Sequence, residues 1–352
     1  MRILELNTEK TWRGGERHTY YTVKALKDTG VHVEIVARRG FPLAEKCKNT
    51  GVLVHEVNSN LEAFSFLIHR GKEFSIIHAQ TPKTQGIAVI TKPIHKRPVV
   101  CTRLVDFKPK GFLSVTKYRL TDRMVALNTT IKKVLEEIGV KNIHVIPIMF
   151  EPETPDIERA KRFLRSVGID YKTKKIIATV SAITPQKDPK TLVKAIHKLR
   201  EVRDDFIFLH FGDGVMMEEI RKEVKKLGLE DTYKLLGFIE KPQDFYPLFD
   251  VYVMTSLHEG TPLAVLDAFF NKVPVVAVSS PALEETLRDR GILCPVGDAS
   301  CIAGSINKLL SEETSTAMMV EEAYRWVIET FSLGKLAKEY VKLFEELIRS
   351  KQ

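Results

Sequence analysis

The chain has 352 residues, more than one hydrophobic core usually supports, so two domains are expected. Hydrophobic residues make up 44% and charged residues 28%, the balance of a water-soluble globular protein, and no apolar stretch is long enough to cross a bilayer as a helix. The formal net charge of +9 is uneven: residues 1–150 hold 25 Lys/Arg against 13 Asp/Glu, while residues 151–352 hold 29 against 32. The basic first half suits an anionic partner (a membrane surface, an acidic glycan or nucleic acid) or is a solvated lysine-rich surface.

The opening residues, Met1-Arg-Ile-Leu-Glu-Leu6, carry no signal-peptide pattern, because Glu5 interrupts the apolar run. Cys47, Cys101, Cys294 and Cys301 show no metal-binding or Cys-x-x-Cys spacing. They read as buried thiols in a reducing compartment, which places the chain in the cytoplasm.

Arg2–Leu6 is a first strand, followed by a polar turn with Gly14-Gly15 and a helix from Arg17 to Thr29. A glycine pair between strand and helix lets backbone N–H groups approach a phosphate, although Gly-x-Gly-x-x-Gly is absent and Glu34 lies inside the next strand rather than at its end. A dinucleotide oxidoreductase is therefore disfavoured. Further strands are expected at Val31–Val36, Gly51–His55, Ser75–His78 and Val99–Thr102, with helices at Leu43–Asn49, Leu61–Lys72 and Thr84–Lys92 between them. Strands alternating with helices mean parallel βαβ units and a doubly wound sheet. His78 and Arg103 fall at strand ends, the ligand edge of such a sheet; His78 reads equally well as a hydrogen-bonded structural histidine. Phe107–Arg119 mixes aromatic and basic residues and reads as a membrane contact, a loop gripping an anionic acceptor, or an ordinary helix with lysines outward. Arg123–Leu127 is a strand, Asn128 or Thr129 caps a helix to Ile138, and Asn142–Pro147 is the last strand of the first domain. Glu151-Pro-Glu-Thr-Pro155 is the linker.

In the second half, a helix at Ile157–Val167 precedes a strand at Lys175–Ser181 and a loop, Ser181-Ala-Ile-Thr-Pro-Gln-Lys-Asp-Pro189, that opens a helix at Lys190–Arg203. Phe206–Gly214 is a buried strand ending in Gly212-Asp-Gly214, followed by a helix at Met216–Leu227, a strand at Tyr233–Phe238 and a short acidic and aromatic helix at Glu240–Phe249. Val251–Met254 is a strand that ends in the polar turn Thr255–Thr261 and continues as an apolar helix from Pro262. Such a strand–turn–helix gathers unpaired N–H groups and a positive dipole end, and Glu259 sits at its mouth. Asn271–Ser280 is another buried strand with a polar end, so two adjacent strand ends make a crevice. Gly291–Asp298 is a turn, and helices at Cys301–Leu310, Thr316–Glu329 and Leu336–Ser350 finish the chain.

Glu259-Gly-Thr-Pro-Leu-Ala-Val-Leu-Asp267, followed by Val273-Pro-Val-Val276, resembles the E-x7-E signature of the retaining glycosyltransferases of family 4, with Asp267 where the family usually has Glu. The resemblance continues through the loop at Ser181–Lys187, through Gly212-Asp-Gly214, through Tyr233–Phe238 and through Gly291–Asp298. It covers nearly the whole chain and is weakest at residues 40–75 and 103–120. Departures are Ser181 and Ala182 in place of the usual Gly and Arg, Arg103-Leu-Val-Asp106 where many relatives carry a His, and Ile148-Met149 in place of Asn-Gly.

The resemblance implies the GT-B fold: two Rossmann-like, doubly wound parallel-sheet α/β domains facing across a cleft. Residues 1–152 would bind the acceptor, with a last helix at about 336–352 packing back on them, and residues 153–335 would bind a nucleotide-diphosphate sugar. It implies that Lys187 and Glu259 carry the chemistry. The donor would meet Gly14, Gly15, Ser181, Lys187, Gly212, Asp213, Phe238, Ile239, Glu259, Gly260, Thr261, Pro262, Leu263 and Asp267. His78, Arg103 and Asp106 are the acceptor-side candidates. No Asp-x-Asp pair and no His/Cys cluster occurs, so neither a metal nor any other cofactor is expected. The expected activity is retaining transfer of a sugar to a glycan or lipid-linked acceptor, as in lipopolysaccharide core or cell-envelope synthesis. Peripheral contact with an anionic membrane through the basic first domain is expected as well, and nucleic-acid binding is not. The alternatives are a soluble-acceptor transferase of the sucrose or glycogen type, a GT-B epimerase or phosphorylase, and a catalytically silent nucleotide-sugar-binding module.

Overall fold

The computed structural model describes residues 1–109 and 111–351; Lys110, within the aromatic and basic segment, and Gln352, at the end of the expected last helix, lie outside the described residues. The chain divides into two compact units, one formed by Met1–Glu151 with Thr330–Gln352 and the other by Pro152–Glu329.

The first unit runs β1 (Arg2–Asn7), α1 (Gly14–Asp28), β2 (His32–Arg38), α2 (Pro42–Lys48), β3 (Leu53–Val57), α3 (Asn60–Arg70), β4 (Ile76–Ala79), α4 (Pro82–His95), β5 (Val99–Arg103), α5 (Phe112–Leu120), β6 (Arg123–Ala126), α6 (Thr129–Glu137) and β7 (Ile143–Val145). The second runs α7 (Ile157–Ser166), β8 (Lys175–Val180), α8 (Pro189–Arg200), β9 (Phe206–Phe211), α9 (Met217–Lys226), β10 (Tyr233–Gly237), β11 (Val251–Met254), α10 (Leu263–Phe270), β12 (Val275–Val278), α11 (Pro281–Leu287), β13 (Ile292–Cys294), α12 (Ala299–Ser311) and α13 (Glu313–Thr330). Helix α14 (Leu333–Arg349) returns to the first unit.

Both sheets are parallel among the described strands, in the orders β3-β2-β1-β4-β5-β6-β7 and β10-β9-β8-β11-β12-β13. Burial on both faces explains why the central strands read as continuous apolar runs. In the first sheet, alternate residues serve opposite cores. Ile3, Ile35, Ile76, Val100 and Val125 pack toward α1 and α14, while Leu4, Leu6, Val36, Ile77 and Val99 pack toward Ala63, Leu67, Ala88 and Val89 of α3 and α4. Helix α14 closes the first of these cores with Leu336, Tyr340, Leu343, Phe344 and Leu347, the three-and-four spacing of an amphipathic helix.

Several local expectations need correction. The first helix starts at Gly14, so the glycine pair forms its first turn rather than a loop before it. The helix after β11 starts at Leu263, with Pro262 as its N-cap residue. The segment Gly291–Asp298, expected as a turn, contains β13, which pairs with β12 and so completes the sheet edge. Of the three readings of Phe107–Arg119 the structure shows a helix, α5; no helix was expected where α11 lies; and the expected helix at Glu240–Phe249 is a 3-10 stretch over Pro242–Leu248 that contains Pro247. Cys294 and Cys301 form a disulfide with Cα atoms 5.7 Å apart, because the turn at Gly297 folds the start of α12 onto the end of β13. The cysteines therefore no longer argue for a reducing compartment. Cys47 and Cys101 are buried thiols, both pushed up to about 12 by burial. No helix among the described residues is long and apolar enough to cross a membrane.

Each unit holds a buried neutral histidine. Burial, with a contribution from nearby His78, lowers His18 to about 3, and burial lowers His210 to about 4. An unfolded histidine protonates near pH 6.5, so between that pH and the folded values the unfolded chain binds more protons. Stability is therefore lost as pH falls. Urea titrations between about pH 7 and pH 4 are expected to show midpoints dropping steadily in both units; a flat profile would contradict this account.

Candidate active site

In the second unit the chain lays β9 and β10 on one side of β8, then crosses to place β11 on the other. The order reverses between β8 and β11, and beyond the carboxyl ends of strands at such a reversal is where sheets of this kind bind ligands. The loops leaving those two strands are tied together there. Thr255, just past β11, donates its hydroxyl to the carbonyls of Lys187 (2.7 Å) and Asp188 (3.1 Å). Leu257 N–H donates to Gln186 O (2.9 Å), and Gln186 Nε2 donates to His258 O (2.7 Å). Across this clasp Lys187 Nζ meets Glu259 Oε1 at 2.5 Å, with side chains 20% and 12% exposed.

The local sequence explains how Lys187 is presented. Pro185–Lys187 is one 3-10 turn, and Asp188 takes a left-handed conformation (φ 45°) that aspartate tolerates better than most residues. Its carboxylate caps α8 by accepting the N–H of Thr191 (3.3 Å). The lysine is thus held at the tip of a turn rigid on both sides.

The loop after β9 lies backbone against backbone on the loop after β8. Ser181 N–H donates to Phe211 O (2.9 Å), Ile183 N–H to Asp213 O (3.1 Å), and Gly212 N–H to Gly237 O (2.8 Å). A Cβ at Gly212 would lie 1.9 Å from Ser181 O, and one at Gly214 would lie 2.3 Å from Ile183 O. Only glycine fits this approach. Ser181 Oγ faces the ring of His210 (3.4 Å), whose other nitrogen meets Tyr233 OH (2.8 Å). Phe238, beyond β10, is 66% exposed; Ile239 is half-buried and Asp213 is exposed.

Gly260 and Thr261 lead to Pro262 and to Leu263, the first residue of α10, and no acidic side chain of α10's own first turn offsets its positive end. Asp267, one turn further, is buried and accepts a hydrogen bond from Gln243 Nε2 (3.2 Å). Burial raises the Tyr252 phenol, and the charges of Glu259 and Asp267 add to the rise, so this ring lies near both carboxylates. Ser181, Lys187, Gly212, Asp213, Phe238, Ile239, Glu259, Gly260, Thr261, Pro262, Leu263 and Asp267 therefore lie in the second unit, along its strand exits and the start of α10. Gln186, Gln243, Thr255 and Gly214 were not singled out from the sequence. Thr255 and Gly214 fall inside segments that were, whereas Gln243 sits in an irregular stretch with no motif.

Gly14, Gly15 and the three acceptor-side candidates belong to the first unit. Glu16 beside the glycine pair folds back to accept Arg13 N–H (2.8 Å) and the Thr11 hydroxyl (3.0 Å), and burial raises its carboxyl. His78 is fully buried: Nδ1 meets Glu5 Oε1 and Nε2 meets Thr102 Oγ1, both at 2.8 Å, and Thr102 continues to Tyr340 OH at 3.1 Å. This is a scaffold histidine joining β1, β4, β5 and α14. Arg103 is also buried, donating to Tyr118 OH (2.5 Å) and to Phe107 O between the two rings. Asp106 is buried as well, so none of the three presents an open side chain.

The packing at Gly212 gives a direct test. Gly212→Ala is expected to destabilise the second unit by roughly 3 kcal/mol, near the upper range for overpacking. Gly304→Ala, in the interior of α12 with nothing within 4 Å of the new methyl, is expected to gain about 0.5–1 kcal/mol. Thermal or urea unfolding measures both, and a harmless Gly212→Ala would refute the close approach.

Two family profiles match the chain, "Glycosyl transferases group 1" over residues 161–326 and "Glycosyltransferase Family 4" over residues 12–153. A lipopolysaccharide core biosynthesis glycosyltransferase, LpsE of Rhizobium meliloti, is 22% identical over 94% of this chain and 95% of its own. A UDP-Gal:alpha-D-GlcNAc-diphosphoundecaprenol alpha-1,3-galactosyltransferase of Escherichia coli is 21% identical over 89% and 85%. Among solved structures, Anabaena HepE in complex with UDP and glucose superposes with a TM-score of 0.85 at 18% identity, covering 98% of this chain and all of that one. A glycosyltransferase from Rickettsia africae gives 0.84 at 20% identity, covering 99% and 98%. With a matching profile in each unit and this fold throughout, the chain belongs to the family 4 glycosyltransferases of GT-B type.

Proposed function

We propose that the chain is a retaining glycosyltransferase that takes its sugar from a nucleoside-diphosphate donor and passes it to a lipid-linked or lipopolysaccharide-type glycan. The observation that carries this reading is the Lys187–Glu259 pair, set across the strand-order reversal and next to the open end of α10.

In this reading the bond between the anomeric carbon and the phosphate oxygen breaks as an acceptor hydroxyl attacks from the same face, and its proton passes to the leaving phosphate oxygen. The charge that develops on the diphosphate is met by the Lys187 ammonium and by N–H groups at the start of α10. Glu259 faces the sugar and orients it, and Asp267 accepts hydrogen bonds from the ribose. The loop at Gly212–Asp213 and the backbone at Phe238–Ile239 bound the base. Gly14 and Gly15, in the first unit, keep a diphosphate role on the resemblance alone. The reading uses no metal and no further cofactor.

The acceptor class is supported by the relatives named above, whose activities concern lipopolysaccharide and a diphosphoundecaprenol-linked sugar. It is supported also by exposed apolar side chains on two neighbouring helices of the first unit. Ile90 and Ile94, one helical turn apart on α4, are 68% and 53% exposed; Phe112, Leu113 and Leu120 of neighbouring α5 are 83%, 83% and 55% exposed. Lys83, Lys92, Lys96, Lys108 and Lys117 belong to the same two helices and their flanks. Apolar side chains among lysines suit the interface of an anionic bilayer.

Two measurements test the reading. In a thermal-shift panel of UDP, GDP, ADP and CMP with their sugar conjugates, one base is expected to stabilise the protein by about 2.7 kcal/mol at 100 times its dissociation constant. Lys187→Ala should remove that shift, and no shift from any nucleotide would sink the donor assignment. In co-sedimentation with phosphatidylglycerol vesicles, binding should weaken with salt and disappear in Phe112→Asp/Leu113→Asp; equal recovery with neutral phosphatidylcholine vesicles, or an unaffected double variant, would refute the membrane face.

A further inference from the structure

The Lys187 ammonium at this site is engaged by a carboxylate. Lys187 and Glu259 are mostly buried, and the loops carrying them are pinned by Thr255, Leu257 and Gln186. The pair is thus a fixed feature of the folded unit rather than a chance meeting of two flexible surface chains. Asp267, on the helix that follows, adds a second buried carboxylate. A diphosphate that takes Lys187 therefore pulls the ammonium from Glu259 and leaves that mostly buried carboxylate without its counter-ion. Leaving one partner of such a pair without its counter-ion is strongly unfavourable.

An intact sugar nucleotide brings its own remedy, because the sugar hydroxyls can donate hydrogen bonds to the displaced carboxylate. A bare nucleoside diphosphate has no such group to offer. We propose that Glu259 determines the preference for donor over product by exchanging partners. It pairs with Lys187 before the donor binds, with the sugar while the donor is bound, and again with Lys187 once the sugar has gone, which drives the diphosphate out. This rests on the donor site proposed above and assigns Glu259 a task in the release step, separate from its place beside the sugar.

The test is equilibrium binding by calorimetry of UDP, GDP and ADP, each bare and as its glucose and N-acetylglucosamine conjugates, to wild type, Glu259→Gln and Lys187→Ala. Glutamine keeps the shape and removes the charge. Wild type should bind the accepted sugar conjugate more tightly than the bare diphosphate. Glu259→Gln should bind the bare diphosphate at least about tenfold more tightly than wild type does, with the preference for the conjugate reduced or reversed. Lys187→Ala should weaken both ligands. If Glu259→Gln melts early, Glu259→Ala gives the same comparison. Should wild type bind the diphosphate and the Glu259 variants bind it equally or more weakly, the exchange is overturned and the donor site stands. Should neither wild type nor any variant bind a nucleotide, the donor site and the exchange both fall.

Discussion

The arrangement of the second unit depends on one small clasp, the hydroxyl of Thr255 shared between the carbonyls of Lys187 and Asp188. Parallel sheets bring loops together only at their carboxyl edge, and only at a reversal of strand order do two neighbouring loops lean apart enough to leave a crevice. Such a crevice is useful only if its walls are fixed, because a misplaced charge gains little from electrostatics. Here each wall is backbone bonded to backbone or to a short side chain. Two glycines allow the third loop to come within contact of the first. The charged groups therefore inherit positions from the strands rather than from their own flexible stems.

The first unit treats its switch point differently. Glu5, His78, Thr102 and Tyr340 form a buried polar seam through the middle of the sheet and into the last helix. A buried carboxylate is tolerated where its partners are supplied by several elements at once, and those partners then fix how the elements are stacked. Arg103 plays a similar part for the segment before α5, threading between Tyr118 and Phe107. The same residues look like catalytic candidates in a list and like framework once their neighbours are known.

That contrast shows what the amino-acid order discloses. Val251–Met254 was legible to the residue, because a fully buried parallel strand must be apolar throughout and a proline directly after a polar turn announces a helix. Lys187, Glu259 and Gly212-Asp-Gly214 stood out through their resemblance to the motifs of family 4 glycosyltransferases. The role of His78 was not legible: its partners lie 73 and 24 positions away, and nothing local distinguishes a solvent-facing ring from one held by two hydrogen bonds. Gln243 approaches Asp267 only because an irregular stretch bends toward α10. Helix α5 lacks an apolar stripe because much of its apolar surface faces outward, and the Cys294–Cys301 bond depends on a turn that the spacing of seven does not reveal.

Helix α14 follows the second unit in the chain yet belongs to the first unit. During synthesis the early strands and α1 emerge with one face of their sheet missing Leu336, Tyr340, Phe344 and Leu347, while the whole second unit is contiguous and can complete its core in the meantime. The first core can be completed only after the whole of the second unit has been made. A chain interrupted before Leu333 would keep every residue of the Lys187–Glu259 site and would lose the helix that covers the amino-terminal core.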